Sequence, residues 1–131
     1  MKVKELRIIL TVENLDEIIR FYHDVAGMET SKEWRNEPGS GIILDAGRAS
    51  LELIDAKHAA TIDTIEVGKR IAGPVRLALR VNEDIDTSTE TFVNGGAKSL
   101  AKPTKAPWSY VARIEDPQGM QITLFTDSTI S

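Results

Sequence analysis

Asp116-Pro117-Gln118-Gly119-Met120-Gln121-Ile122-Thr123-Leu124-Phe125 decides how the rest of this chain is read. Pro117 pre-sets the backbone for the second position of a turn and Gly119 admits a positive φ, so Asp-Pro-Gln-Gly predicts a hairpin turn. The strands it joins are Tyr110 to Glu115 and Gln121 to Thr126.

Upstream of the hairpin, Val75 to Val81 reads as a strand and Asp84 to Asn94 as a helix with Ile85, Ser88, Phe92 and Val93 on its apolar face. Gly95-Gly96 stops that helix, and Lys98 to Thr104 reads as a further strand, which completes a βαβββ unit. The first half carries the same punctuation. Leu6 to Val12 alternates as a strand, with Arg7 the odd member on the face it shares with Ile9 and Thr11. Asn14 is placed to cap a helix, with Glu17 in the capping-box position, and Leu15, Ile18, Ile19, Tyr22, Val25 and Ala26 follow at helical spacing up to Gly27. Phe21, Tyr22 and Phe92, all on helical segments, are expected in the core. Met28 to Trp34, Gly41 to Asp45 and Ala49 to Ile54 read as three strands.

The repeat is faint in residues and clear in its stops, from Val12 to Gly27 and again from Val81 to Gly95. Between the halves, Ala59, Ile62 and Ile65 give a weak helical pattern that Gly73-Pro74 interrupts. We therefore expect one α+β domain over residues 1–131, with a first βαβββ module at 1–55, a connector at 56–74, a second module at 75–126 and a mobile tail at 127–131. Each module alone would leave one sheet face uncovered, so the two pair within a chain or across a dimer.

The balance of 41% hydrophobic and 27% charged residues is that of a globular protein and not of a disordered one. A net charge of -4 gives no footprint for nucleic acid. With no cysteine, disulfides, thiolate metal sites and cysteine nucleophiles are excluded. No apolar run approaches the roughly 20 residues that span a bilayer, and Met1 to Glu5 lacks the apolar segment of a signal peptide. The expectation is a cytoplasmic protein with no membrane partner.

Thr11-Val12-Glu13-Asn14-Leu15, the helix bearing Phe21-Tyr22, Gly27-Met28-Glu29, and the closing Trp108 and Asp116-Pro117-Gln118-Gly119 region together resemble the vicinal oxygen chelate superfamily, which holds glyoxalase I, extradiol dioxygenases and bleomycin resistance proteins. The resemblance covers nearly the whole chain. It implies paired βαβββ modules, curved mixed sheets around a central cavity, and a homodimer. In metal-dependent relatives four strands supply the ligands, and the corresponding positions here are Arg7, Glu52, Arg76 and Thr123. Only Glu52 could bind a metal, because a guanidinium offers no lone pair and two of them repel a divalent cation. His23 and His58 lie outside the four strand positions. We expect neither a metal nor another cofactor.

Arg7, Glu52 and Arg76 should then converge with a formal charge of about +1 by residue valence. One reading is structural, a carboxylate bracketed by two arginines. The other is that the surplus donors hold an anionic or carbonyl-rich ligand. Burial would raise the pKa of Glu52, but flanking arginines should push it down, which argues against a catalytic role. Trp34 and Trp108 border Pro- or Gly-containing loops, where each either stacks on a planar ligand or packs a dimer or hairpin edge. Lys102, Lys105 and Arg113 read as solvated charges.

These readings combine in a metal-free, dimeric protein that binds a small organic molecule, an antibiotic or a neutral or anionic metabolite, through Arg7, Glu52, Arg76, Thr123, Trp34 and Trp108. The opposing reading is an enzyme. It would be a glyoxalase-like lyase or dioxygenase whose metal ligands lie elsewhere, or a metal-independent catalyst using Glu52 with Arg7 and Arg76. A small interaction domain is a third possibility.

Overall fold

The computed structural model describes residues 1–82 and 84–127. Its strands are β1 (Val3–Val12), β2 (Glu29–Asn36), β3 (Gly39–Asp45), β4 (Ser50–Asp55), β5 (Val75–Val81), β6 (Lys98–Ser99), β7 (Thr104–Lys105), β8 (Tyr110–Glu115) and β9 (Gln121–Phe125). Its helices are α1 (Leu15–Ile19), which continues as a π-helical turn over Arg20–Val25, α2 (Ala56–Val67) and α3 (Ile85–Asn94). The expected α+β fold of two βαβββ modules is present. The strands form a curved sheet in the order β2-β3-β4-β1-β5-β9-β8-β6, with β7 paired to β8 outside that path. The modules meet within the chain where β1 and β5 pair antiparallel, and each is closed by a parallel partner, β4 on β1 and β9 on β5.

Alternation along the strands divides the core between the two faces. On the convex face α1 covers Ile42, Leu44, Leu51 and Leu53, and α3 covers Ala112, Ile114, Ile122 and Leu124. On the concave face Ile9, Ile54 and Ala78 meet Ala59 and Ile62 of α2. Each fully buried Leu or Ile contributes about 2 kcal/mol through removal of apolar surface from water.

The β8–β9 hairpin forms as its sequence predicts. The Asp116 carbonyl accepts from the Gly119 amide at 2.9 Å, and Oδ1 of Asp116 accepts from the amides of Gln118 and Met120 at 2.8 and 3.0 Å. Gly119 adopts φ +92°, a conformation that a side chain would strain.

Three expectations are corrected. Asn14 caps α1 by accepting from the Glu17 amide, but the π-helical turn that follows rotates later residues off the α-helical face, so Phe21 and Val25 are exposed instead of buried. The strand expected over Lys98 to Thr104 is two short ones, β6 and β7, because Pro103 lacks the amide needed to continue the ladder. The connector holds a full helix, α2, capped by Asp55 and stopped at Gly68, and it lies across the concave face against β1, β3, β4 and β8. Of the expected mobile tail, residues 128–131 lie outside the described residues. Among the described residues no helix is long and apolar enough to cross a membrane.

Candidate functional site

Register places the candidate residues in rows across the concave face. One row runs Ile43, Glu52, Ile9 and Arg76 over β3, β4, β1 and β5. The next runs Ser50, Arg7, Ala78, Thr123 and Arg113 over β4, β1, β5, β9 and β8. Neighbouring strands are about 4.8 Å apart, so Glu52 and Arg76, two strands removed, face each other over about 10 Å. The curved sheet and α2 enclose a cavity of about 600 Å³, and Arg7, Glu52, Arg76, Thr123, Trp34 and Trp108 all line it.

Its floor is a network of buried charges. Asp63 of α2 accepts at Oδ1 from Nη1 of Arg76 at 2.6 Å and from Nη2 of Arg113 at 2.8 Å. Its Oδ2 accepts from the amides of Ile71 and Ala72, both at 3.0 Å, and from Arg70. Arg70 also donates to the Ala72 carbonyl. Glu66, one turn further along α2, accepts from Thr123 Oγ1 at 2.7 Å and from Nε of Arg113 at 3.1 Å. Burial alone would raise the pKa of Asp63, but the Ala72 amide, Arg113 and Arg76 outweigh it and hold the carboxyl well below the usual range. Burial dominates at Glu66, whose pKa is raised despite Arg113 and Thr123. Arg76 is drawn down from its ordinary value by burial, with Asp63 opposing.

Glu52 behaves differently from expectation. It is 7% exposed, and its nearest cation, Nη1 of Arg7, stands 3.8 Å away, beyond hydrogen-bonding distance. Arg7 spends its Nε on Glu5 at 2.7 Å and lies over the ring of Phe125 at 4.4 Å. Burial therefore outweighs Arg7 and Arg76, and the pKa of Glu52 is pushed up to about 7 instead of down. The expected local charge of +1 counts Arg7, Glu52 and Arg76 alone. Arg7, Lys32 and Arg76 line the cavity together with Glu52, Glu66 and Asp127, three of each sign.

The opposite wall is aromatic. His58 stands between Trp34 and Trp108, with ring centroids 5.2 and 5.9 Å away. Gly41 makes room for this wall, since a Cβ there would lie 2.3 Å from Cζ2 of Trp34. Gly39 lets β3 approach α2, since its Cβ would lie 2.2 Å from the His58 amide nitrogen. Burial lowers the pKa of His58, with Asp55 opposing.

Several buried polar atoms have no partner. Among the described residues there are seven such side-chain atoms, and five belong to cavity residues: Nε and Nη2 of Arg76, Nε1 of Trp34, Nδ1 of His58 and Oγ of Ser109. An orphaned buried donor or acceptor costs about 1–3 kcal/mol.

The sequence reading missed Asp63, Glu66, His58, Ser109 and Arg113. Arg113 is 1% exposed and sits at the centre of the ionic network, not in solvent. Its alternation with Val111 on β8, opposite Thr123, was the available signal, of the kind that placed Arg7 on the inner face of β1. Lys102 and Lys105 are exposed as expected.

A divalent metal does not fit this donor set. Of Arg7, Glu52, Arg76 and Thr123 only Glu52 is a good ligand, and among the described residues no group of three or more His, Cys, Asp or Glu side chains is placed to hold a metal ion.

Comparison with known proteins accords with the fold. A family model described as the Glyoxalase/Bleomycin resistance protein/Dioxygenase superfamily matches residues 6–124. No curated protein matches the chain significantly. Among solved structures, a hypothetical protein from Bacillus halodurans C-125 is 14% identical, with a TM-score of 0.71 and coverage of 100% of this chain and 99% of that one. Methylmalonyl-CoA epimerase from Mycobacterium tuberculosis is 21% identical, with a TM-score of 0.63 and coverage of 96% and 87%. A superfamily member from Vibrio splendidus 12B01 is 14% identical, with a TM-score of 0.58 and coverage of 96% and 100%. Sheet order, module repeat and the match over residues 6–124 place this chain in the glyoxalase/bleomycin resistance protein/dioxygenase superfamily.

Proposed function

We propose that this protein binds a small organic molecule, such as an antibiotic or a metabolite, in the cavity between its sheet and α2, without a metal and without transforming it. The ligand is neutral or anionic and rich in hydrogen-bond acceptors. The observation that carries this reading is the cavity of about 600 Å³ between the sheet and α2, which Arg7 and Arg76 line together with Trp34 and Trp108. A ligand rich in acceptors would meet the guanidinium of Arg7, whose side chain is 24% exposed. Trp34 and Trp108 supply flat apolar surface in the same cavity, as small-molecule sites commonly do.

The test is a thermal-shift screen of uncharged and anionic planar compounds against the wild type and Arg76→Met. Asp63 keeps Arg113, Arg70 and two amides in the variant, so its fold should persist. Compounds that stabilise the wild type should lose that effect in the variant. Equal stabilisation of both proteins, or stabilisation by Ni, Zn, Mn or Fe alone, would overturn the reading.

Glu52 favours a second reading. A carboxyl poised near neutrality within a ligand cavity suits general acid–base chemistry, so a metal-independent lyase or isomerase would use Glu52 with Arg7 and Arg76. Turnover of a bound compound that persists in chelator and is lost in Glu52→Gln would establish it.

A further inference from the structure

We propose that the ligand is a monocarboxylate with a flat apolar body, and that its carboxylate docks on Nη1 of Arg7 and on the protonated carboxyl of Glu52, which flank one another in the cavity. The inference rests on the binding reading above and narrows it. Arg7 gives Nε to Glu5 at 2.7 Å and Nη2 to the same carboxylate at 3.4 Å, so two of its nitrogens are held. Among the described residues its Nη1 has no hydrogen-bond partner, since Oε1 of Glu52 stands 3.8 Å away. Glu52 likewise accepts no hydrogen bond from the described residues. None of the seven buried orphan atoms belongs to Arg7 or Glu52. Both groups open onto the cavity, with side chains 24% and 10% exposed.

Charge selects an anion. Arg7, Lys32 and Arg76 line the cavity with Glu52, Glu66 and Asp127. Burial raises the pKa of Glu52 and of Glu66, so both carry less negative charge than free carboxylates would. Asp127 faces Arg80 at 2.7 Å, and Arg76 faces Asp63 at 2.6 Å. The lining therefore holds more positive than negative charge, which one carboxylate would offset. Hydrogen bonds between an ionised donor and an ionised acceptor are about twice as strong as neutral ones, which favours a carboxylate at Arg7 over an amide or ketone. Protonated Glu52 supplies a second donor, in the manner of two carboxyl groups that share one proton. Ile9, two residues along β1 from Arg7, joins Ile62, Trp34 and Trp108 in an apolar lining suited to a flat body.

The experiment is calorimetric titration of the full chain, of Arg7→Met and of Glu52→Gln with 2-naphthoate and 2-naphthamide at pH 6 and pH 8. Without Arg7, Glu5 keeps Ser50 at 2.6 Å and Arg80 at 3.2 Å, so the fold should persist. At pH 6 the wild type should bind the acid at least about tenfold more tightly than the amide, and Arg7→Met should erase that preference. The other charged and titratable groups facing Glu52 are Glu5 and Arg7 from β1, Lys32 from β2, Arg76 from β5, His58 and Glu66 from α2, and Asp127 after β9. With the pKa of Glu52 at about 7, its protonated fraction falls about tenfold from pH 6 to pH 8, and binding of 2-naphthoate should weaken by the same factor. Glu52→Gln keeps an N–H donor at both pH values and should lose this dependence. Equal binding of acid and amide to the wild type, a preference that survives Arg7→Met, or equal binding of 2-naphthoate at the two pH values would overturn the inference. Binding of the amide alone would overturn it while leaving a ligand cavity. Binding of neither would overturn it too, and the broader screen would then decide separately whether the cavity binds anything.

Discussion

Replacing Asp63 with alanine removes the anion on which the cavity floor is built. Asp63 is fully buried and accepts from Arg76 at 2.6 Å, from Arg113 at 2.8 Å, and from the amides of Ile71 and Ala72 at 3.0 Å. Its loss strands two guanidinium groups in a dry site and leaves the segment after α2 without its anchor. Breaking a buried pair by deleting one partner costs about 3–5 kcal/mol. Glu66 still faces Arg113 at 3.0 Å, which sets the expectation toward the lower end. With a urea m-value of about 2 kcal/mol/M, the midpoint should fall by about 1.5–2 M. The control is Asp16→Ala. Asp16 also meets an arginine, Arg35 at 2.5 Å, but its side chain is 77% exposed, and surface pairs contribute about 0–1 kcal/mol. Urea denaturation of both variants, followed by circular dichroism, separates the cases. A loss below about 1 kcal/mol for Asp63→Ala, or equal losses for the two, would refute the view that burial makes this network structural.

Glu52 has a folded-state pKa of about 7 against an ordinary 4.5, so the stability it contributes is fully present below about pH 4.5 and is lost as pH rises through 7. Glu52→Gln should match the wild type near pH 4.5 and exceed it by about 2–3 kcal/mol at pH 8, measured by urea unfolding at both values; a constant difference across pH would contradict the assignment. Gly41→Ala forces the Trp34 indole aside and should cost about 1–3 kcal/mol as an overpacked site, with a shift in tryptophan emission; an unchanged spectrum would show that the wall can give way freely. The homodimer that the family resemblance implies has a candidate surface where Leu6, Ile8 and Val75 lie 37–41% exposed on adjoining strands. Ile8→Lys should yield a monomer by light scattering if that surface pairs, whereas an unaltered dimer would place the interface elsewhere.

The sequence was most legible where local chemistry acts alone. Asp116, Pro117 and Gly119 specify their turn without tertiary help, and alternation on β1 marked Arg7, whereas Glu52 and Arg76, which share its face, were reached through the family resemblance. It was least legible at α2. That helix buries His58, Asp63 and Glu66 beside Ala59 and Ile62, so its inner face is half titratable and its apolar periodicity is weak. The same burial reversed the expected direction for Glu52. Charge alone suggested that arginines would lower its pKa, but their other partners, Glu5 for Arg7 and Asp63 for Arg76, draw those cations away and leave desolvation dominant. Phe21 was misplaced because the winding of a π-helical turn leaves no mark in residue spacing.

The most direct test of a metal-free ligand cavity centred on Arg76 is a native mass spectrum of the protein as purified, beside that of Arg76→Met. The account predicts a wild type carrying a small organic adduct and no stoichiometric metal, with the adduct lost in the variant. A first-row metal bound one per chain in both proteins, with no organic adduct in either, would contradict it.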